Sequence, residues 1–155
     1  MSVGETSITV VGNLTGDPEL RFTPAGVAMA RFTVASTPRS FDRDSGQWTD
    51  GTSMFLRCTA WRALAENIAA SLGKGNRVVV TGRLRQLDWD TDKGEKRSML
   101  VLDADDIGPS LRFATAMPKR AQTTVARGSA ADASALAPAA PQAAPSQPAS
   151  DEPPF

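Results

Sequence analysis

The chain has 155 residues, enough for one domain with an appendage. It carries 17 Lys and Arg against 17 Asp and Glu, with one cysteine and no histidine. Those counts exclude an intramolecular disulfide framework and remove the commonest general base and metal ligand, so hydrolytic, nuclease and metal chemistry start without their usual parts.

Met1 to Thr6 has neither the basic run nor the apolar stretch of a secretion signal. No segment reaches the roughly 20 apolar residues that span a bilayer. The chain therefore reads as soluble and cytoplasmic. Ser7 to Leu14 alternates, with Ile8, Val10 and Leu14 on one face and Thr9 and Val11 on the other, which is strand periodicity. Gly12 inside it signals a bulge or a close backbone approach. Turns are marked at Gly16-Asp17-Pro18 and Thr23-Pro24-Ala25-Gly26. Met29 to Ser36 alternates again and places Phe32 and Val34 together. Thr37 to Thr52 is rich in Pro, Asp, Ser and Gly and reads as a long exposed loop of the kind that is usually functional or disordered.

Ser53 to Trp61 is a third strand. From Ala63 to Leu72 the period changes, with Leu64, Ile68 and Leu72 forming one stripe of a short helix that Gly73-Lys74-Gly75 should stop with a left-handed glycine cap. Arg77 to about Trp89 is a fourth strand, Asp92-Lys93-Gly94 a hairpin turn, and Arg97 to Asp106 a fifth strand, with Leu111 to Ala116 as a short sixth. Five strands with a helix between the third and fourth is the layout of an all-β, five-stranded OB-fold barrel, although another one-helix barrel or sandwich shares the pattern. No repeat at a period of 20–50 residues is present.

Residues 128–155 close the chain with 20 Ala, Pro and Ser out of 28, too few apolar side chains to offset the entropy of ordering. The expected organisation is a folded domain over 1–115, a disordered linker over 116–150 and an acidic tip over 151–155. All 17 basic residues and 14 of the acids lie in residues 1–127, and the other three acids lie in 128–155 without a base. A mildly basic body suits an anionic ligand, and an acidic tail suits a separate partner.

Candidate chemistry is sparse. Asp88, Asp90 and Asp92 resemble the start of a calcium loop, but Lys93 stands where that loop needs glycine and Met99 where it needs glutamate. Gly73-Lys74-Gly75-Asn76 lacks the strand and the Lys-Ser/Thr of a phosphate loop. Strand alternation is more informative. Phe55, Arg57, Thr59 and Trp61 share one side of the third strand, and Arg83, Arg85, Leu87 and Trp89 one side of the fourth. Cations for phosphates beside flat rings for bases is what a single nucleic-acid strand needs. For Phe55 and Trp61 alone, packing in the core is the simpler reading. Trp89, between Asp88 and Asp90 at a hairpin, and Phe41, between Arg39 and Arg43, are hard to bury in one chain and point to a ligand or another subunit.

Val10-Val11-Gly12-Asn13-Leu14, Gly16-Asp17-Pro18-Glu19-Leu20-Arg21-Phe22, Phe32-Thr33-Val34-Ala35, Leu64-Ala65-Glu66-Asn67, Lys74-Gly75 and Val80-Thr81-Gly82-Arg83-Leu84 together resemble the bacterial single-stranded-DNA-binding protein family, in order over roughly residues 4–115. The resemblance implies an OB-fold subunit of a homotetramer, associated with the nucleoid, that wraps single-stranded DNA in replication, recombination and repair. From the missing parts noted above, no catalysis, cofactor or metal is expected. The family's stacking positions fall on Phe41, Phe55, Trp61 and Trp89, and its basic contacts on Arg21, Arg57, Lys74, Arg85 and Arg97. Phenylalanine replaces the usual tryptophan at Phe41 and Phe55, and Gly73, Leu87 and Asp88 occupy commonly basic positions, which implies weaker binding than is typical. Asp151, Glu152, Pro153, Pro154 and Phe155 resemble the tip that recruits replication and repair proteins, with Pro153 where isoleucine is common. Ile107 to Phe113 resembles an extra strand that clamps subunits together in members from high-GC bacteria. An interaction module with weak DNA binding is the alternative reading. Cys58, on the face opposite Phe55 and Trp61, meets either the core or a neighbouring copy, and near a two-fold axis it could bridge to its own equivalent.

Overall fold

Strand-forming sequence dominates the computed structural model, which describes residues 3–122 in nine elements. These are β1 (Thr6–Leu14), β2 (Glu19–Phe22), β3 (Ala28–Ser36), β4 (Arg39–Asp42), β5 (Gln47–Asp50), β6 (Met54–Trp61), α1 (Arg62–Ser71), β7 (Arg77–Asp90) and β8 (Lys96–Pro109). The expected linker beyond residue 122 and the tip over 151–155 lie outside the described residues.

The main sheet runs β1-β7-β8-β6-β3-β2, and a further pairing of β1 with β3 closes it. Five strands, β1, β3, β6, β8 and β7, thus form the barrel, with β2 as an extra edge strand on β3. All barrel pairings are antiparallel except β6 with β8, where Arg57, Cys58 and Thr59 face Val101, Leu102 and Asp103 in parallel. The expected five-stranded barrel with one helix between its third and fourth strands is the architecture found.

Alternation explains the core. Inward residues Val10 and Leu14 of β1, Phe32 and Val34 of β3, Leu56, Cys58 and Ala60 of β6, Val78 and Val80 of β7, and Leu102 and Ala104 of β8 pack together. Helix α1 closes one end by burying Ala65 and Ile68, with Leu64 and Leu72 packed at the margin. Each strand therefore offers its core on one parity and a solvent face on the other.

Gly12 is a close approach. A Cβ there would lie 2.3 Å from the Ala35 carbonyl oxygen, at the point where β1 leaves β7 for β3. Gly82 has the same role on β7, with a hypothetical Cβ 2.2 Å from the Asp103 carbonyl oxygen beside a register shift against β8. Crossing backbones at these two corners leave room for hydrogen alone.

Four expectations change. Thr37 to Thr52 is largely a β4–β5 hairpin rather than an open loop, because Gly46 at φ 68° and the Asp42 carboxylate close its turn. That carboxylate accepts from the Asp44 N–H at 3.0 Å and the Ser45 hydroxyl at 2.8 Å. Glu19 to Phe22, between two turn signals, is a strand. No sixth strand forms over Leu111 to Ala116; instead β8 continues to Pro109 opposite Val78. Helix α1 ends without a glycine cap, since Leu72 is extended and donates its N–H to the Ile68 carbonyl, while Gly75 at φ 85° belongs to the following turn.

Candidate nucleic-acid interface

The outer parity of β3 and β6 builds the first part of the surface. Register places Trp61 beside Met29, Thr59 beside Arg31, Arg57 beside Thr33 and Phe55 beside Ala35. On the far side of β3, Arg21 faces Met29 and Glu19 faces Arg31. Directly paired residues share a face, so these pairs line up as cross-strand rows of rings, methionine and arginine. From Trp61 to Phe55 the β6 backbone covers roughly 20 Å at strand rise.

A groove of about 670 Å³ lies over this face. Trp61, Arg57, Arg31 and Met29 line it from β3 and β6, and Arg85, Leu87 and Met99 from the β7–β8 arm. The Thr15–Asp17 turn forms one end. Asp17 also fixes the next basic residue: its carboxylate accepts the Lys74 backbone N–H at 2.8 Å, tying the Lys74–Gly75 turn to the groove end. A second cleft, of about 450 Å³, surrounds Trp89 near the arm's tip, with Gln86, Asp88, Lys96 and Arg97 around it. Trp89 stands opposite Arg97 in the β7–β8 register.

None of the four expected rings is packed away. Phe41 is 50% exposed, Phe55 65%, Trp61 41% and Trp89 42%, so the packing reading of Phe55 and Trp61 is replaced by an outward one. The groove brings together only Trp61, Arg57 and Arg85 of the expected set. Trp89 and Arg97 occupy the second cleft, Phe41 the separate hairpin, and Phe55 the far end of β6.

Charge is less free than the sequence suggests. Arg21 Nε donates to Glu19 at 2.8 Å, Arg85 Nε to Asp103 at 2.7 Å and Arg97 Nη2 to Glu95 at 3.2 Å. Asp105 and Glu5 hold the Arg83 guanidinium above its already high ordinary value. Among the described residues Arg57 makes no ion pair, its Nη1 lying 3.9 Å from Met99 Sδ, and Lys74 makes none either. The described residues hold no group of three or more His, Cys, Asp or Glu able to bind a metal, and no helix long and apolar enough to cross a membrane.

Two residues escaped the sequence reading. Arg31 lies in the groove between Thr59 and Glu19, and alternation with the inward Phe32 and Val34 already placed it outside. Trp48 is 60% exposed and opposite Phe41 across the hairpin, with ring centroids 5.4 Å apart and planes tilted by 59°. The signal for it was the matched pair of short segments about Asp44-Ser45-Gly46, masked by their polar composition.

Cys58 takes the inner side of β6. It is 1% exposed, packed in the core, and its thiol donates to the Leu56 carbonyl oxygen at 3.6 Å. A sulfur inside the barrel has no path to a second copy's sulfur, so the contemplated bridge does not fit this placement.

Comparison with known proteins gives a consistent picture. Residues 5–110 match the model of the single-strand binding protein family. A protein named single-stranded DNA-binding protein from Mycolicibacterium smegmatis is 63% identical over 118 residues, covering 76% of this chain and 72% of that one. One of the same name from Mycobacterium tuberculosis is 57% identical over 126 residues, covering 81% and 77%. The crystal structure of a small single-stranded DNA-binding protein from Streptomyces coelicolor superposes with a TM-score of 0.62 at 38% identity, over 70% of this chain and 97% of the other.

Proposed function

Because this chain belongs to the single-strand binding protein family, we propose that it binds single-stranded DNA independently of sequence, protecting it in replication, recombination and repair. The observation that carries this is the groove on β3 and β6, where Arg57 and Arg31, without an ion pair among the described residues, lie beside the outward ring of Trp61. A strand threaded there meets cations for its phosphates and a flat face for its bases, a combination blind to base identity. Nothing in it requires chemistry on the strand. The rings we assign to stacking are Phe41, Phe55, Trp61 and Trp89, joined by Trp48. The cations are Arg57 and Lys74, with Arg21 and Arg97 contributing once released from their carboxylates, while Arg85 stays on Asp103. Family membership supports assembly as a homotetramer, and the terminal Asp151–Phe155 is assigned to recruiting replication and repair proteins.

The ion pairs on Arg21, Arg85 and Arg97 favour one second reading, an interaction module with weak DNA binding. Tryptophan fluorescence titrated with oligo-dT at two salt concentrations separates the two. Saturable quenching, weakened steeply by salt, is the expected result. Trp89→Ala and Trp48→Ala should each reduce affinity by about 1–3 kcal/mol while leaving the far-ultraviolet spectrum unchanged. Equal affinity in wild type and both variants removes those rings from the binding surface.

A further inference from the structure

Two arginines of the groove stand in opposite states. Arg57 has no acidic partner among the described residues, whereas Arg85 donates its Nε to Asp103 Oδ2 at 2.7 Å. The carboxylate is held firmly. Parallel pairing of β6 with β8 sets Asp103 beside Thr59, in the same row as Arg31, and its side chain is only 21% exposed. Its other oxygen, Oδ1, is buried without a hydrogen-bond partner.

A carboxylate with one oxygen shut from water and unbonded depends on its single guanidinium contact. A phosphate that captured Arg85 would leave that charge half-buried and alone, which is costlier than leaving the pair intact. Resting on the single-strand reading above, we propose that Asp103 is a positioning residue that competes with the DNA backbone for Arg85. It keeps this arginine out of the set that neutralises phosphate, and so sets both how tightly the groove holds a strand and how steeply salt weakens it.

The substitution Asp103→Asn removes the charge and keeps the shape. With oligo-dT as ligand, affinity at fixed salt should rise roughly tenfold, the size of one charge-assisted hydrogen bond. The slope of log affinity against log salt should steepen by about 0.7, one further phosphate neutralised on a single strand. Adding Arg85→Ala to Asp103→Asn should abolish both gains. Weaker binding by Asp103→Asn, or tighter binding with an unchanged slope, overturns the proposal, because Asp103 would then be orienting Arg85 toward phosphate or acting on shape alone.

A measurement on the unaltered protein covers the case in which Asp103→Asn does not fold. The Arg85 Nε–H resonance should keep its position when the groove is saturated with oligo-dT, while that of Arg57 moves. An Arg85 signal that shifts with Arg57 refutes the competition. Failure of the single-strand reading is seen separately, as no quenching of the wild-type tryptophans by oligo-dT.

Discussion

Cys58 sits between Leu56 and Ala60 on the inner side of β6, across from Phe32 on β3. Burial pushes its thiol up from the ordinary 9.0 to about 12. The folded chain thus holds the proton where the unfolded chain releases it. The resulting stabilisation is complete below pH 9.0 and is lost as pH rises toward 12. A neutral, enclosed thiol is a poor nucleophile. At pH 8 a thiol reagent should therefore modify Cys58 only as fast as the protein unfolds, and non-reducing electrophoresis should show one monomer band. Rapid labelling of the native protein, or a disulfide-linked dimer, would place the sulfur outside the barrel. The side on which Cys58 lies was readable from alternation alone. What alternation could not supply was whether its own core or a second copy covered that side, since one period describes both. The same limit applied to Phe55 and Trp61, whose parity was read correctly while their exposure was not.

At the scale of elements, the strands with apolar alternation were legible and the polar ones were not. β1, β3, β6, β7 and β8 each carry inward apolar residues at alternate positions, with valine, leucine or phenylalanine among them. β2, β4 and β5 bury nothing, so no period marks them, and their strand form comes from pairing with a neighbour. The expected sixth strand failed for a related reason: Leu111 and Phe113 alternate, but both are exposed and have no strand to pair with. Gly12 was legible because a glycine inside a strand pattern has few other uses. Its consequence is testable. Gly12→Ala drives a methyl group into the Ala35 carbonyl where β1 changes partners, and backbone cannot rotate away as a side chain can. The variant should lose more than about 2 kcal/mol of stability, seen as a lower denaturant midpoint. A loss under about 0.5 kcal/mol would mean that the corner is loose enough to open.

Across the whole molecule, the charge segregation visible in the sequence is the basis of the separate duties we propose for body and tail. Three acids and no base over residues 128–155 make the tail a mild competitor for any cationic groove. Removing Asp151 to Phe155 should leave thermal stability unchanged and oligo-dT binding equal or slightly tighter, while pull-down of replication and repair proteins fails. If the shortened chain still recovers those partners, the docking site lies on the barrel. The barrel itself follows a similar division at finer grain. Along β6 the odd-numbered residues Phe55, Arg57 and Trp61 face outward, and the even-numbered Leu56, Cys58 and Ala60 carry the core. Under the proposed function, affinity and foldedness are thus written on alternate letters of one segment. On the proposed reading, a lineage can revise its grip on DNA one odd position at a time without risking collapse of the scaffold, and an engineer recoding this surface for another polyanion inherits the same freedom.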